Sequence, residues 1–126
     1  MAKSPPTGFG QWVRARREHV ALTLREFALE TGLDPGNLSK YERGLLPPPQ
    51  DEEVLARIAS ALRLKKGTAK HREFMDLAAA SAGRIPPDIA RDPRLVQRLP
   101  LLFRTARGSK LTRDQLVQLA DRLKNL

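Results

Sequence analysis

Cysteine is absent from this 126-residue chain, which excludes a disulfide framework, thiolate chemistry and a cysteine-ligated zinc site. Long apolar runs are missing as well. The longest uncharged stretches reach only about ten residues, far short of the ~20 that cross a bilayer. The first ten residues have no apolar core of the secretory kind, so a soluble cytoplasmic protein without a membrane partner is expected. Catalytic signatures are equally scarce. There is no glycine-rich phosphate loop, nucleophile elbow or deaminase motif, and Gly8 and Gly10 around Phe9 are too little for a nucleotide site. His19 and His71 stand far apart and outside any His-Glu-x-x-His pattern, so each is expected to be a surface or packing residue. No enzyme activity, cofactor or metal site is expected.

A chain of this length holds one compact domain, or one domain with a small appendage. What it has in excess is positive charge: 23 Lys and Arg against 14 Asp and Glu, a formal +9. Such an excess suits a polyanionic partner better than a neutral metabolite. It is also uneven, because residues 1–80 hold thirteen basic and ten acidic residues whereas the last 46 hold ten and four. That shift, near Gly83 and the Pro86-Pro87 pair, divides the expected organisation into one domain over residues 1–80 and a second region over 81–126.

Between clusters of Pro and Gly the apolar residues recur with helical rather than alternating period. Helices are expected from Phe9 to Val20, Leu24 to Thr31, Pro35 to Arg43, Asp51 to Leu64, Thr68 to Ser81, Pro93 to Arg107 with a kink at Pro100, and Thr112 to Asn125. The fold class is therefore all-α. Start signals support these bounds: Asp34 precedes Pro35 as a capping carboxylate before a proline at the first helical position. Thr23 with Glu26 and Thr112 with Gln115 have capping-box spacing. Asp51, Glu52 and Glu53 suit the positive end of a helix dipole better than a metal site. Phe9 and Trp12 are expected in the core.

From Leu22 to Gly44 the sequence reads as two short helices around a turn at Gly32-Leu33-Asp34. Leu24, Phe27 and Ala28 line one face of the first. Leu38, Tyr41 and Leu45 line one face of the second, which leaves Gly36, Lys40 and Arg43 roughly opposite and Asn37 and Ser39 on the flanks. That outer face is either a solvated surface or one that enters a major groove about 12 Å wide and touches base edges. Two charges tilt the balance. Val13, Arg17 and Val20 share an i, i+4, i+7 spacing, and so do Leu38, Glu42 and Leu45, so each charge sits where the helical period demands an apolar residue. A lone buried charge is costly. Arg17 and Glu42 are therefore expected to meet in a partly buried pair that fixes the angle of the helix from Pro35, with no direct base contact.

With Arg17, Leu22, Glu26, Phe27, Ala28, Gly32, Leu33, Leu38, Tyr41, Glu42 and Gly44 in place, followed by prolines and Leu55, Ile58, Ala59 and Leu62, residues 9–64 resemble the helix-turn-helix domain of phage repressors and the wider xenobiotic-response-element regulators. The resemblance implies a five-helix lambda-repressor-like domain with a C-terminal helical extension. In it, Leu24 to Thr31 lies across the DNA backbone and Pro35 to Arg43 is the recognition helix. The chain departs from the pattern at Pro35 and Gly36, where members often place long base-reading side chains, and this shifts readout towards Asn37, Ser39 and Lys40. Arg25 and Arg43 are the expected phosphate clamps, assisted by the positive ends of both helices. Lys40 is expected at a guanine, and Asn37 at an adenine or a phosphate.

The resemblance also implies a homodimeric repressor in the cytoplasm, associated with the nucleoid, that reads a palindromic operator in double-stranded DNA. An antitoxin or a repressor controlled by a metalloprotease, with the toxin or protease as partner, is a close alternative. A protein-bridging module on the same fold is a more distant one. The C-terminal stripes, Leu95, Leu99, Leu102, Phe103 and Ala106 and then Leu116, Leu119, Ala120 and Leu123, suggest a helical hairpin. It either packs within the monomer or meets a second copy or helper protein through Leu102, Phe103, Leu116, Leu119 and Leu123.

Overall fold

The structure is a computed structural model that describes residues 8–108 together with 112, 114, 115, 117, 118 and 121. It is all-helical, with no strand among the described residues. Its contacts divide the chain into two units, one ending at Pro86 and the other beginning at Pro87.

Five helices build the first unit: α1 (Phe9–His19), α2 (Leu24–Thr31), α3 (Pro35–Glu42), α4 (Glu52–Ala61) and α5 (Ala69–Ser81). Each of α2 to α5 starts on a side chain that accepts a helix N–H: Thr23, Asp34, Asp51 and Thr68. Thr23 and Glu26 complete the expected capping box. Asp51 Oδ1 accepts from the N–H groups of Glu53 and Val54, so the acidic triplet is a helix start. Helix α2 ends on Gly32 at φ 72°, a left-handed residue that reverses the chain.

Phe27, Leu38, Ile58, Leu62 and Phe74 are the most deeply buried apolar side chains, each worth about 1.5–3 kcal/mol. With Phe9, Trp12 and Val13 of α1 they bring all five helices onto one core. The rings of Phe9 and Trp12 stand 5.5 and 5.8 Å from that of Phe74, so the aromatic start of α1 is core. His19 is exposed and His71 half-buried.

Two departures from the expected bounds have local causes. Helix α4 stops earlier than Leu64 because Arg63 adopts φ 59°. There Arg16 of α1 donates to the carbonyls of Leu62 and Arg63 at 2.9 and 3.2 Å, while Arg63 pairs with Glu30 of α2 at 2.8 and 3.0 Å. That guanidinium holds the Glu30 carboxyl below its ordinary range. Leu45, expected on the packing face of the recognition helix, is 62% exposed. The helix ends before it, and Gly44 at φ 73° takes it out of helical phase.

The second unit holds α6 (Pro87–Ala90), α7 (Pro93–Val96) and α8 (Leu99–Gly108). The single kinked helix expected from Pro93 is thus two, broken at Gln97 and Arg98. Pro100 falls in the first turn of α8, where its missing N–H leaves no bond unmade. Helix α6 had no counterpart in the sequence reading. Thr112 and Gln115 exchange both capping-box bonds, at 2.9 and 3.2 Å. Much of the helix expected from Thr112 lies outside the described residues.

Gly10 governs how closely α1 crosses the last turn of α3. A Cβ there would press into the carbonyl oxygens of Tyr41 and Glu42, the latter at 2.7 Å. Backbone cannot yield as a flexible side chain does, so Gly10→Ala should lower stability by about 1–3 kcal/mol. Urea denaturation checks this, and an unchanged midpoint would contradict the close crossing.

Candidate nucleic-acid interface

Helix α3 has two unlike sides. Leu38 is 1% exposed and Glu42 8%, and Tyr41 packs on the core cluster. Pro35, Gly36, Asn37, Lys40 and Arg43 are exposed, and Ser39 is half-buried. Among the described residues nothing covers the face that carries the expected reading residues. Arg25 is also exposed, at the start of α2, and makes no ion pair among the described residues. The Arg43 side chain leans back on its own helix, its Nε 3.4 Å from the Ser39 carbonyl.

Arg17 and Glu42 fix the buried side. Arg17 Nε donates to Glu42 Oε2 at 2.7 Å and Nη2 to Oε1 at 3.0 Å, a bidentate pair with little solvent around it. Nη1 donates to the Leu22 carbonyl at 2.9 Å, just before the α2 cap. One guanidinium therefore ties α1 to the C-terminal end of α3 and to the start of α2. The Glu42 carboxylate holds Arg17 above its ordinary pKa, against the opposing effect of burial.

The N-termini of the two helices are capped as expected. Both already hold a carboxylate. Asp34 Oδ2 accepts from Asn37 N–H at 3.0 Å, and Glu26 Oε1 accepts from Thr23 N–H at 3.0 Å. The Thr23 backbone and side-chain hydrogen bonds keep the Glu26 carboxyl below its ordinary pKa. Each carboxylate places negative charge at the positive end of its helix dipole and partly offsets the pull of that end on an anion. Gly36 has a matching local reason: a Cβ there would lie 2.9 Å from Asp34 Oδ2 and push the cap aside.

Sequence reading missed two features that shape the site. Gly10 stood out only as a flank of Phe9, although it is where α1 meets α3. Thr31 is buried at the turn, where its hydroxyl donates to the Phe27 carbonyl at 2.8 Å and accepts from Leu33 N–H at 3.3 Å. No spacing rule marks either one. Of the expected dimer or partner residues, Leu102 is half-buried and Phe103 is 43% exposed. Leu116, Leu119 and Leu123 lie outside the described residues. No group of three or more His, Asp or Glu side chains is placed to hold a metal among the described residues. No helix among them is long and apolar enough to cross a membrane.

A family model described as a helix-turn-helix domain matches residues 9–71, half of the chain. Two curated proteins from two strains of Mycobacterium tuberculosis, each described as an uncharacterized HTH-type transcriptional regulator, are 40% identical over 55 residues. The aligned segment is 44% of this chain and 38% of each relative, so the chain matches well under half of their length. No solved structure matches the chain.

Three substitutions separate the roles of these residues. Glu42→Ala leaves the Arg17 guanidinium without its partner and should cost about 3–5 kcal/mol in urea denaturation. A loss under about 1 kcal/mol, the size of a surface ion pair, would contradict the structural role. Lys40→Ala should cost roughly 1–3 kcal/mol at one base position, whereas Arg43→Ala should weaken all sequences alike and flatten the salt dependence. Salt-controlled titrations distinguish the two, and parental binding by Lys40→Ala would remove that residue from the interface.

Proposed function

Because the chain belongs to the helix-turn-helix domain family, we propose that it is a sequence-specific DNA-binding transcriptional regulator of the phage-repressor, xenobiotic-response-element type. It acts as a homodimeric repressor and reads the major groove with α3. The observation that carries this reading is the exposed face of Gly36, Asn37, Lys40 and Arg43 on a helix whose other side is fixed by Leu38 and the Arg17–Glu42 pair. Lys40 and Asn37 meet base edges, Ser39 flanks them, and Arg25 and Arg43 meet phosphates. Pro35 and Gly36 bring bare backbone, rather than long side chains, to the groove.

A single α3 spans few base pairs. Two copies on half-sites about 34 Å apart multiply the discrimination and require a two-fold symmetric operator. The apolar side chains of α8, Leu102 and Phe103 among them, are the surface through which the copies pair. The Mycobacterium tuberculosis relatives, themselves described as transcriptional regulators, support a regulatory rather than a catalytic role. A toxin or metalloprotease partner draws no support from these observations and is not part of the reading.

Selection of genomic fragments by the purified full chain tests site, symmetry and spacing together. The expected result is a discrete set of fragments that share an inverted repeat with half-sites about one helical turn apart. Fragments without a common motif would contradict sequence-specific regulation, and a single unrepeated half-site would contradict the dimer.

A further inference from the structure

Outside the matched residues 9–71, the feature without an assigned role is the arginine content of the C-terminal part. Between residues 84 and 108 every basic residue is an arginine: Arg84, Arg91, Arg94, Arg98, Arg104 and Arg107, against only Asp88 and Asp92. All six are exposed. In the first unit most arginines are engaged. Arg14, Arg17, Arg57 and Arg63 pair with carboxylates, and Arg16 holds two carbonyls. From α6 to α8 only Arg94 has such a partner, Asp92 at 3.4 Å, and that aspartate also caps α7. Arg91, Arg98, Arg104 and Arg107 make no ion pair among the described residues.

Like charges kept together and unpaired repel one another, and a polyanion relieves that repulsion. Arginine suits either kind of polyanion, since its planar fork matches phosphate and carboxylate oxygens alike two at a time. Arg104 and Arg107 stand one turn apart on α8, so their guanidinium groups are neighbours on the helix surface. A segment tethered to a DNA-reading domain also meets phosphate at high effective concentration, which an unattached acidic protein lacks.

We infer that residues 91–107 form a second, sequence-independent phosphate-binding arm that grips duplex DNA in addition to α3. The inference rests on the DNA-binding reading of the chain, but on none of the residues that carry that reading.

The test uses the full chain, a fluorescent mixed-sequence duplex and a duplex from the genomic selection, titrated over a range of salt. One variant carries Arg91→Gln, Arg94→Gln, Arg98→Gln, Arg104→Gln and Arg107→Gln. A second carries Lys at the same five positions. Each phosphate contact contributes ~0.9 to the slope of log affinity against log salt, so the Gln variant should lose roughly 2–4 from that slope. Its affinity should drop by about tenfold or more near 0.1 M salt, equally on both duplexes. The ratio between the two duplexes should stay at the parental value, which an unfolded variant would not preserve. The Lys variant should regain the slope. Parental slope and affinity in the Gln variant would overturn the arm and leave an acidic protein as the partner these arginines fit. Failure of Lys to restore the slope would overturn it as well. Absence of all DNA binding in the parent chain would instead remove the regulator reading, and the arm with it.

Discussion

The Arg17 guanidinium is the constraint on which the rest depends. With two bonds to Glu42 and one to the Leu22 carbonyl, it fastens α1, the end of α3 and the approach to α2 at one partly buried point. Helices of eight residues such as α2 and α3 are marginal alone and take their direction from what they pack against. Leu38 holds α3 to the core by burial, which is strong but not directional. The bidentate pair supplies the direction, and Gly10 lets α1 come near enough for the pair to close. An outward α3 face is thus the consequence of charges placed inward.

Charge in this chain is divided by location. In the helix-turn-helix unit, Arg16, Arg17 and Arg63 hold carbonyls or carboxylates and act on the fold. Lys40 and Arg25 point the other way, into solvent and without an ion pair among the described residues. Carboxylates follow the same division. Glu42 is buried in its pair, whereas Asp34 and Glu26 sit on helix starts, where they hold α3 and α2 in shape and temper the pull of those ends on phosphate.

The helices of the first unit were legible because their signals are local. Thr23 with Glu26, Asp34 with Pro35, and Gly32 at the turn each act within four residues, and each stands where the sequence placed it. The Arg17–Glu42 contact was legible for a different reason: helical period left two opposite charges facing inward, and one pairing relieves both. What escaped was long-range or outside helical phase. Gly10 matters only because α3 crosses it. Arg63 in a left-handed conformation shortens α4, and no residue preference announces that. Leu45 followed the helical period on paper but lies beyond Gly44, where that period no longer holds. In the second unit the apolar spacing could not show that the chain breaks before Leu99 and turns Pro100 into a helix start.

Dimethyl sulfate protection on a fragment bound by the full chain tests the central claim most directly, because the reagent marks guanine N7 in the major groove and adenine N3 in the minor groove. An α3 held outward by the Arg17–Glu42 pair should shield a short, discrete set of guanine N7 positions and leave neighbouring adenine N3 reactive. Protection confined to adenine N3, or none at either atom under saturating protein, would mean that α3 does not enter the major groove.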